Sequence, residues 1–163
     1  MARRGIVAGT IGAIVLGAAA ARGVLRRFEI KEESMSPTLE PGDWLVAKRR
    51  VGSLDRGDII VFDDPTGTGI NLVKRVVGLP GDHVGIERGR VTLNGAVLAD
   101  HWARGVTEPE GEWDVPDDHV WVLGDNRPVS RSDGRLLGTT PIDSVHWKVV
   151  ARYWPSSRIG AIG

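Results

Sequence analysis

Two textures divide the chain. Residues 5–21 form an uncharged run (GIVAGTIGAIVLGAAAA) of 17 residues with arginines on either side. From Phe28 onward, short apolar stretches rich in Val, Ile and Trp alternate with turn signals, and no sustained 3.6-residue periodicity follows. The stretches predict strands over residues 44–48, 58–62, 72–77, 83–87, 90–93, 119–123 and 145–154. Pro41-Gly42-Asp43 and Leu79-Pro80-Gly81-Asp82 mark turns, and Asn94-Gly95 is a hairpin signal because both residues tolerate positive φ. Residues 63–69 (DDPTGTG) read as a mobile hairpin tip. Residues 99–118, acidic and interrupted by Pro109 and Pro116, read as a surface loop. The expected fold is mainly β: an antiparallel β-sheet body over residues 28–163, preceded by a membrane anchor over residues 1–27. Neither an internal repeat nor a low-complexity tract is present.

As a helix, the apolar run would span roughly 26 Å against a hydrocarbon core of about 30 Å. Extension to Leu25 closes that gap if Arg22 snorkels to the headgroups. The expectation is one uncleaved transmembrane helix. A cleaved signal peptide fits the same residues, since Ala18-Ala19-Ala20 supplies small side chains at a suitable spacing. A surface-lying amphipathic helix fits less well, because the run has no polar face. Arginines on both sides leave its orientation open.

Charge sharpens this division. The net charge of zero conceals five arginines and no acid in residues 1–27 (Arg3, Arg4, Arg22, Arg26, Arg27), which leaves 16 basic against 21 acidic side chains after them, a net of −5. A basic, apolar start on an acidic body suits attachment to a membrane and does not suit nucleic-acid binding. With 41% hydrophobic and 26% charged residues, the chain has the composition of one folded domain. It contains no cysteine, which excludes disulfides, thiolate metal sites and cysteine catalysis.

Three polar segments interrupt the strand pattern. In Ser34-Met35-Ser36-Pro37-Thr38-Leu39, Pro37 stiffens the chain and biases Ser36 toward extended geometry, which can hold a hydroxyl at a sheet edge. A plain Ser/Thr/Pro connection between helix and sheet accounts for the same residues. In Leu72-Val73-Lys74-Arg75-Val76-Val77-Gly78, strand alternation puts Lys74 on one face with Leu72 and Val76, and Arg75 on the other. Desolvation on an apolar face lowers a lysine pKa and leaves a neutral amine able to accept a proton, although isolated lysines at sheet edges more often snorkel to solvent. The third segment, residues 124–135 (GDNRPVSRSDGR), can orient a base through hydroxyl and carboxylate hydrogen bonds, or form a solvated turn held by Asp–Arg pairs.

Order and residue types together resemble the type I signal peptidases, family S26 of the serine proteases. Ser34-Met35-Ser36-Pro37-Thr38-Leu39 is similar to that family's nucleophile box, and Lys74-Arg75-Val76-Val77-Gly78-Leu79-Pro80-Gly81-Asp82 to its general-base box. Gly124-Asp125-Asn126-Arg127 is similar to the opening of its third box. The resemblance implies Ser34 as nucleophile, Lys74 as general base, Ser130 as the hydroxyl that orients the lysine, and the Ser34 backbone N–H as an oxyanion donor. It implies substrates among exported precursor proteins with small residues at positions −1 and −3, contact with membrane lipid, and no metal or cofactor. It further implies a single-pass plasma-membrane protein with its catalytic domain on the extracytoplasmic side. The compact length is closer to the short Gram-positive and mitochondrial forms.

The resemblance departs at two points. After Ser130 the family usually continues with one residue and then Asp-Ser-Arg, whereas here Arg131-Ser132-Asp133-Gly134-Arg135 delivers Asp133 and Arg135 one position later. They are carried over as an orienting pair with that offset. Two residues before the nucleophile, where the family has an oxyanion-hole hydroxyl or Gly, this chain has Glu32, which has no donor when ionised.

Histidines 83, 101, 119 and 146 have no paired spacing for a metal, and no phosphate or dinucleotide loop occurs. A triad of Ser34, His119 and Asp125 is the rival for catalysis. Rival functions are a dedicated S26-type maturation protease that trims one partner protein, and a catalytically inactive membrane-tethered β domain that binds peptides.

Overall fold

The computed structural model describes residues 23–162. The anchor expected over residues 5–21 lies outside them, and among the described residues no helix is long and apolar enough to cross a membrane. Among the described residues the strands are β1 (Leu25–Glu29), β2 (Trp44–Arg49), β3 (Ile59–Asp63), β4 (Asn71–Gly78), β5 (His83–Glu87), β6 (Arg90–Leu93), β7 (Ala96–Val97), β8 (Gly111–Asp114), β9 (His119–Leu123), β10 (Thr140–Pro141), β11 (Val145–Trp154) and β12 (Gly160–Ala161). One short helix, α1 (Gly134–Leu137), follows β9.

All named strand pairs are antiparallel. The larger sheet runs β1-β2-β11-β3-β4-β9-β10, with β12 on β11, and the smaller runs β7-β6-β5-β8. The apolar run of β3 buries both of its faces. Ile59 and Val61 pack with Ile30, Met35, Leu39 and Leu45, while Ile60 and Phe62 pack with Leu72, Val76, Val120 and Val122. A third cluster joins the two sheets, with Val77, Trp121 and Leu123 of the larger against Val84, Ile86 and Val91 of the smaller. Strands covered on both sides are apolar throughout, so alternation fades in the centre of the sheet.

The strands predicted over 83–87, 90–93, 119–123 and 145–154 have the observed bounds, and those over 44–48, 58–62 and 72–77 fall within one residue of β2, β3 and β4. Asn94 and Gly95 have φ of 51° and 82° and link β6 to β7 as a two-residue hairpin. The expected loop over residues 99–118 is corrected by β8, which pairs with β5 along the edge of the smaller sheet. Its exposed Glu112 and Asp114 disguise it as a loop in sequence, yet charged residues are common on edge strands, and Trp113 turns inward against Trp121 at 5.0 Å. The tip between β3 and β4 is cross-braced: the Asp64 carboxylate accepts hydrogen bonds from the Thr66 backbone N–H and from both the Thr66 and Thr68 hydroxyls. β1 pairs with β2 from Leu25↔Lys48 onward, so sheet structure starts three residues before position 28.

Candidate active site

Lys74 lies in the middle of β4, opposite Ile60 of β3, and is only 3% exposed. Its face carries Leu72 and Val76, as alternation requires. Arg75 points the other way and is equally buried, but its charge is matched. Its Nε and Nη2 donate to the two Asp125 oxygens at 2.9 and 2.7 Å, Nη1 donates to the Gly57 carbonyl at 2.7 Å, and the guanidinium stacks on Trp102. Lys74 has no ion-pair partner among the described residues. Its Nζ lies 2.9 Å from Ser34 Oγ, the one hydrogen bond of its side chain among them.

Burial pushes the Lys74 pKa down from its ordinary value. The carboxylates of Asp133, Glu32 and Asp125 pull it back up and Arg135 pushes it further down, but desolvation prevails. Desolvation favours the neutral amine, the form of a lysine that accepts a proton from a neighbouring hydroxyl, and the Ser34 hydroxyl lies 2.9 Å away.

Ser34 sits in a short 3-10 turn, Glu33–Met35, that follows β1. Met35 is sunk in the core and pins one side of this turn, and Ser36 adopts the extended geometry that Pro37 favours (φ −64°, ψ 142°). Being in the first turn of a 3-10 helix, the Ser34 backbone N–H has no intrahelical partner, and among the described residues it makes no other backbone hydrogen bond. The third segment clamps the turn from the far side. Asn126 donates its backbone N–H to the Ser34 carbonyl at 3.1 Å and its side-chain amide to the Glu33 carbonyl at 3.1 Å. Gly124 packs so close that a Cβ would lie 2.5 Å from the Ser34 carbonyl oxygen and collide with Ser130. The clamping role of Gly124 and Asn126 is absent from the sequence reading, since the pairing of turn and segment is a tertiary contact.

Asp133 is fully buried and collects this segment around itself. Its Oδ2 accepts from Ser130 Oγ at 2.7 Å, from Gly124 N–H at 3.2 Å and from Arg135 Nη2 at 2.9 Å, and its Oδ1 accepts from Arg135 Nε and backbone N–H. Asp133 is also the N-cap of α1. Burial alone would raise its pKa. The hydrogen bonds from Arg135 and Ser130, with the adjacent guanidinium, outweigh that and hold the carboxyl below its ordinary value. The one-position offset thus leaves the Asp133–Arg135 pair intact, with Arg135 reaching on to the Ser130 and Glu108 carbonyls. The structure brings Ser34 and Lys74 together, and Ser130, Asp133 and Arg135 together. Among the described residues, Ser130 Oγ bonds to Asp133, and no hydrogen bond joins it to Lys74.

The rival triad is not assembled. Asp125 is occupied by Arg75 and by Thr38 Oγ1 at 2.6 Å, and His119 pairs with exposed Asp118. Among the described residues no group of His, Asp and Glu is arranged to hold a metal.

Two clefts meet at Ser34. One, of about 340 Å³, runs between the β1 end and the start of β4 and is walled mainly by Phe28, Ile30, Met35, Ile70 and Val73. The other, of about 470 Å³, is walled by Glu33, Val129, Arg131 and Ser132. Both share Glu32, Ser34, Leu72 and Lys74. Glu32 is exposed, does not cap the turn it precedes, and among the described residues has no ion pair with Arg27 or Lys31.

Residues 3–154 match the family described as signal peptidase, peptidase S26. The chain is 37% identical over 169 residues to a signal peptidase I of Leptolyngbya laminosa, covering 94% of this chain and 81% of that protein. It is 33% identical over 150 residues to a signal peptidase I of Bacillus caldolyticus, covering 81% of each. A crystal structure of a signal peptidase I from Enterococcus faecalis V583 shares the fold with a TM-score of 0.51 at 28% identity, covering 59% of this chain and 96% of that one.

Proposed function

We propose, from the premise that this chain belongs to the signal peptidase family, peptidase S26, that it is a membrane-bound serine endopeptidase that removes signal peptides from exported precursor proteins. The observation that carries the reading is the 2.9 Å contact between Ser34 Oγ and a buried Lys74 amine that no carboxylate pairs among the described residues. Neutral Lys74 takes the Ser34 hydroxyl proton as Oγ bonds to the scissile carbonyl carbon. The resulting ammonium protonates the leaving amine as the C–N bond breaks, and an acyl ester remains on Ser34. Lys74, neutral again, takes a proton from water, whose oxygen attacks the ester. That proton returns to Ser34 Oγ as the acid product leaves. The Ser34 backbone N–H is the oxyanion donor in both halves. Asp133, Arg135 and Ser130 are positioning residues that hold the segment against the nucleophile turn.

The apolar cleft is suited to the acyl side of the substrate, where side chains at −1 and −3 must be small to reach the Ser34 hydroxyl. Exposed Trp44 and Trp154, opposed in register on β2 and β11, with exposed Ile159 nearby in sequence, favour contact with lipid. Precursors are cut after translocation, which puts Ser34 on the extracytoplasmic side of the plasma membrane.

The test is cleavage of precursor peptides with Ala at −1 and −3 by the full-length chain in detergent, with the cut mapped by mass spectrometry. Cutting after the −1 residue that disappears in Ser34→Ala is expected, and no cutting, or cutting that survives the substitution, rejects the reading. The topology is checked separately. The chain has no cysteine, so Thr68→Cys places a unique thiol on the β3–β4 tip. An impermeant maleimide should label it in intact cells, and labelling only after lysis contradicts the extracytoplasmic assignment.

A further inference from the structure

Glu32 occupies an unusual position for a carboxylate. It precedes the nucleophile by two residues, is exposed, has no ion pair among the described residues, and belongs to both clefts that open on Ser34. The two clefts differ in chemistry. Apolar side chains wall the first, apart from Glu29, Lys31 and Asn71 at its rim, whereas the second opposes Glu32 and Glu33 on the nucleophile turn to Arg131 on the third segment. Two carboxylates against one guanidinium leave the second cleft net negative while Lys74 is neutral. With the acyl side of a peptide in the apolar cleft, the charged cleft, which also opens on Ser34, offers a path for its leaving-group side.

We infer that Glu32 is a specificity-determining residue, which selects precursors that carry a Lys or Arg side chain immediately after the scissile bond and disfavours those with Asp or Glu there. The inference rests on the endopeptidase reading above. Physically, an ionised Glu32 beside Ser34 repels the negative charge that develops on the scissile carbonyl oxygen. A substrate ammonium or guanidinium at the adjacent position neutralises Glu32 when it is most harmful, whereas a substrate carboxylate adds a third like charge. Because that compensation is strongest as the oxyanion forms, the preference appears in kcat as well as in KM. Specificity of this kind combines an attraction for one class of substrate with a repulsion of the other. Glu33 contributes to the same field, and Arg131 on the opposite wall opposes it.

The experiment uses the full-length chain and three peptides with Ala at −1 and −3 that differ only in Lys, Gln or Glu at the first position after the cut. The ratio of kcat/KM for Lys over Gln is expected to be about fivefold, the upper end for one partly exposed charge pair, with Glu below Gln by a similar factor. Glu32→Gln should bring both ratios close to one, and Glu32→Lys should invert their order. Ratios are insensitive to any general change in turnover that the substitutions cause. Should a variant fold poorly, the wild-type ratio still decides. It should collapse between about 0.05 M and 1 M salt, over which the Debye length falls several-fold. A Lys/Glu ratio near one in the wild type at low salt, or a ratio that Glu32→Gln leaves unchanged, overturns the inference while Ser34-dependent cutting of the Gln peptide keeps the endopeptidase reading. Absence of any Ser34-dependent cutting overturns both.

Discussion

Lys74 and Arg75 are consecutive in β4, are buried to the same degree, and have opposite electrostatic surroundings. Arg75 is gripped on its guanidinium edge by both oxygens of Asp125, while Lys74 has only the Ser34 hydroxyl as a hydrogen-bond partner among the described residues. The strand pleat that separates them by one residue also separates a permanent structural cation from an amine that can give up its proton.

The first prediction follows from that separation. Ser34→Ala and Lys74→Ala should each abolish peptide cleavage, and the double variant should be little worse than either, because the proposed nucleophile and base act as one unit. Lys74→Arg should be as inactive as Lys74→Ala, since a guanidinium cannot release its proton near neutral pH. Single-turnover measurements on one precursor peptide check all four variants. Wild-type-like turnover by Lys74→Ala removes Lys74 from the mechanism.

A second prediction concerns stability and has the opposite sign. With a folded-state pKa depressed by burial, Lys74 binds its proton more weakly in the folded than in the unfolded chain. Unfolding therefore takes up protons over the interval between the folded-state pKa and the ordinary value of 10.5, and stability rises with pH across it. Lys74→Met, which fills similar space without the amine, should be inactive yet melt at a higher temperature than the wild type near neutral pH. The gain should shrink as pH approaches 10. Melting curves of both proteins from pH 6 to pH 10 measure this, and a Lys74→Met protein that is less stable throughout contradicts a desolvated amine.

Much of this architecture is legible in the chain, and the misses share a cause. β5, β6, β9 and β11 are recognisable because apolar residues and turn signals set both of their ends, and Asn94-Gly95 announces the β6–β7 hairpin. β8 escapes because Glu112 and Asp114 face solvent and only Trp113 turns inward. α1 escapes because four residues carry no periodicity, and it depends on the Asp133 cap and on Gly134 lying flat against Trp121, where a Cβ would approach the indole to 2.5 Å. At the site, alternation alone separates Lys74 from Arg75. That Ser34 lies across from Lys74, 40 positions away, follows from family resemblance and not from local spacing. Nothing local in the sequence forecasts that Asn126 holds the Ser34 turn, or that Asp125 serves Arg75.

The third prediction tests the offset pair. Asp133 and Arg135 are both buried, and removing the acid alone strands a guanidinium beside Ser130 and Gly124. Asp133→Ala should destabilise the fold by about 3–5 kcal/mol, read from urea midpoints. Because the folded-state pKa of Asp133 is depressed, its stabilising contribution is present above the unfolded value of 3.8 and is lost as pH falls through the folded one. The difference between wild type and Asp133→Asn should accordingly narrow below about pH 4. A difference that stays constant from pH 7 to pH 3 would show that Asp133 acts by packing alone.

The last prediction returns to Glu32, through the titration of Lys74. In the proposed mechanism the reacting species is the neutral amine, so kcat/KM should rise with pH through the folded-state pKa of Lys74. Every carboxylate near Nζ favours the ammonium and moves that limb to higher pH; Asp133, Glu32 and Asp125 act in this sense and Arg135 acts against them. Of the three acids, Asp133 and Asp125 are fixed in buried ion pairs, whereas Glu32 is exposed and can be altered without stranding a buried partner. Glu32→Gln should therefore shift the acid limb of the profile to lower pH, with the same sign for every substrate. Glu32→Ser should do this and also raise the plateau kcat on a neutral peptide, by roughly tenfold if the new hydroxyl reaches the oxyanion, with Glu32→Gly gaining less because it removes repulsion without adding a donor. The measurement is a pH series of kcat and kcat/KM for the wild type and the three variants on one uncharged peptide. An acid limb that stays in place in Glu32→Gln would show that the carboxylate is too well screened to act on Lys74. A plateau that falls in both Glu32→Ser and Glu32→Gly would show that Glu32 supports turnover through substrate contacts and does not obstruct it at the oxyanion.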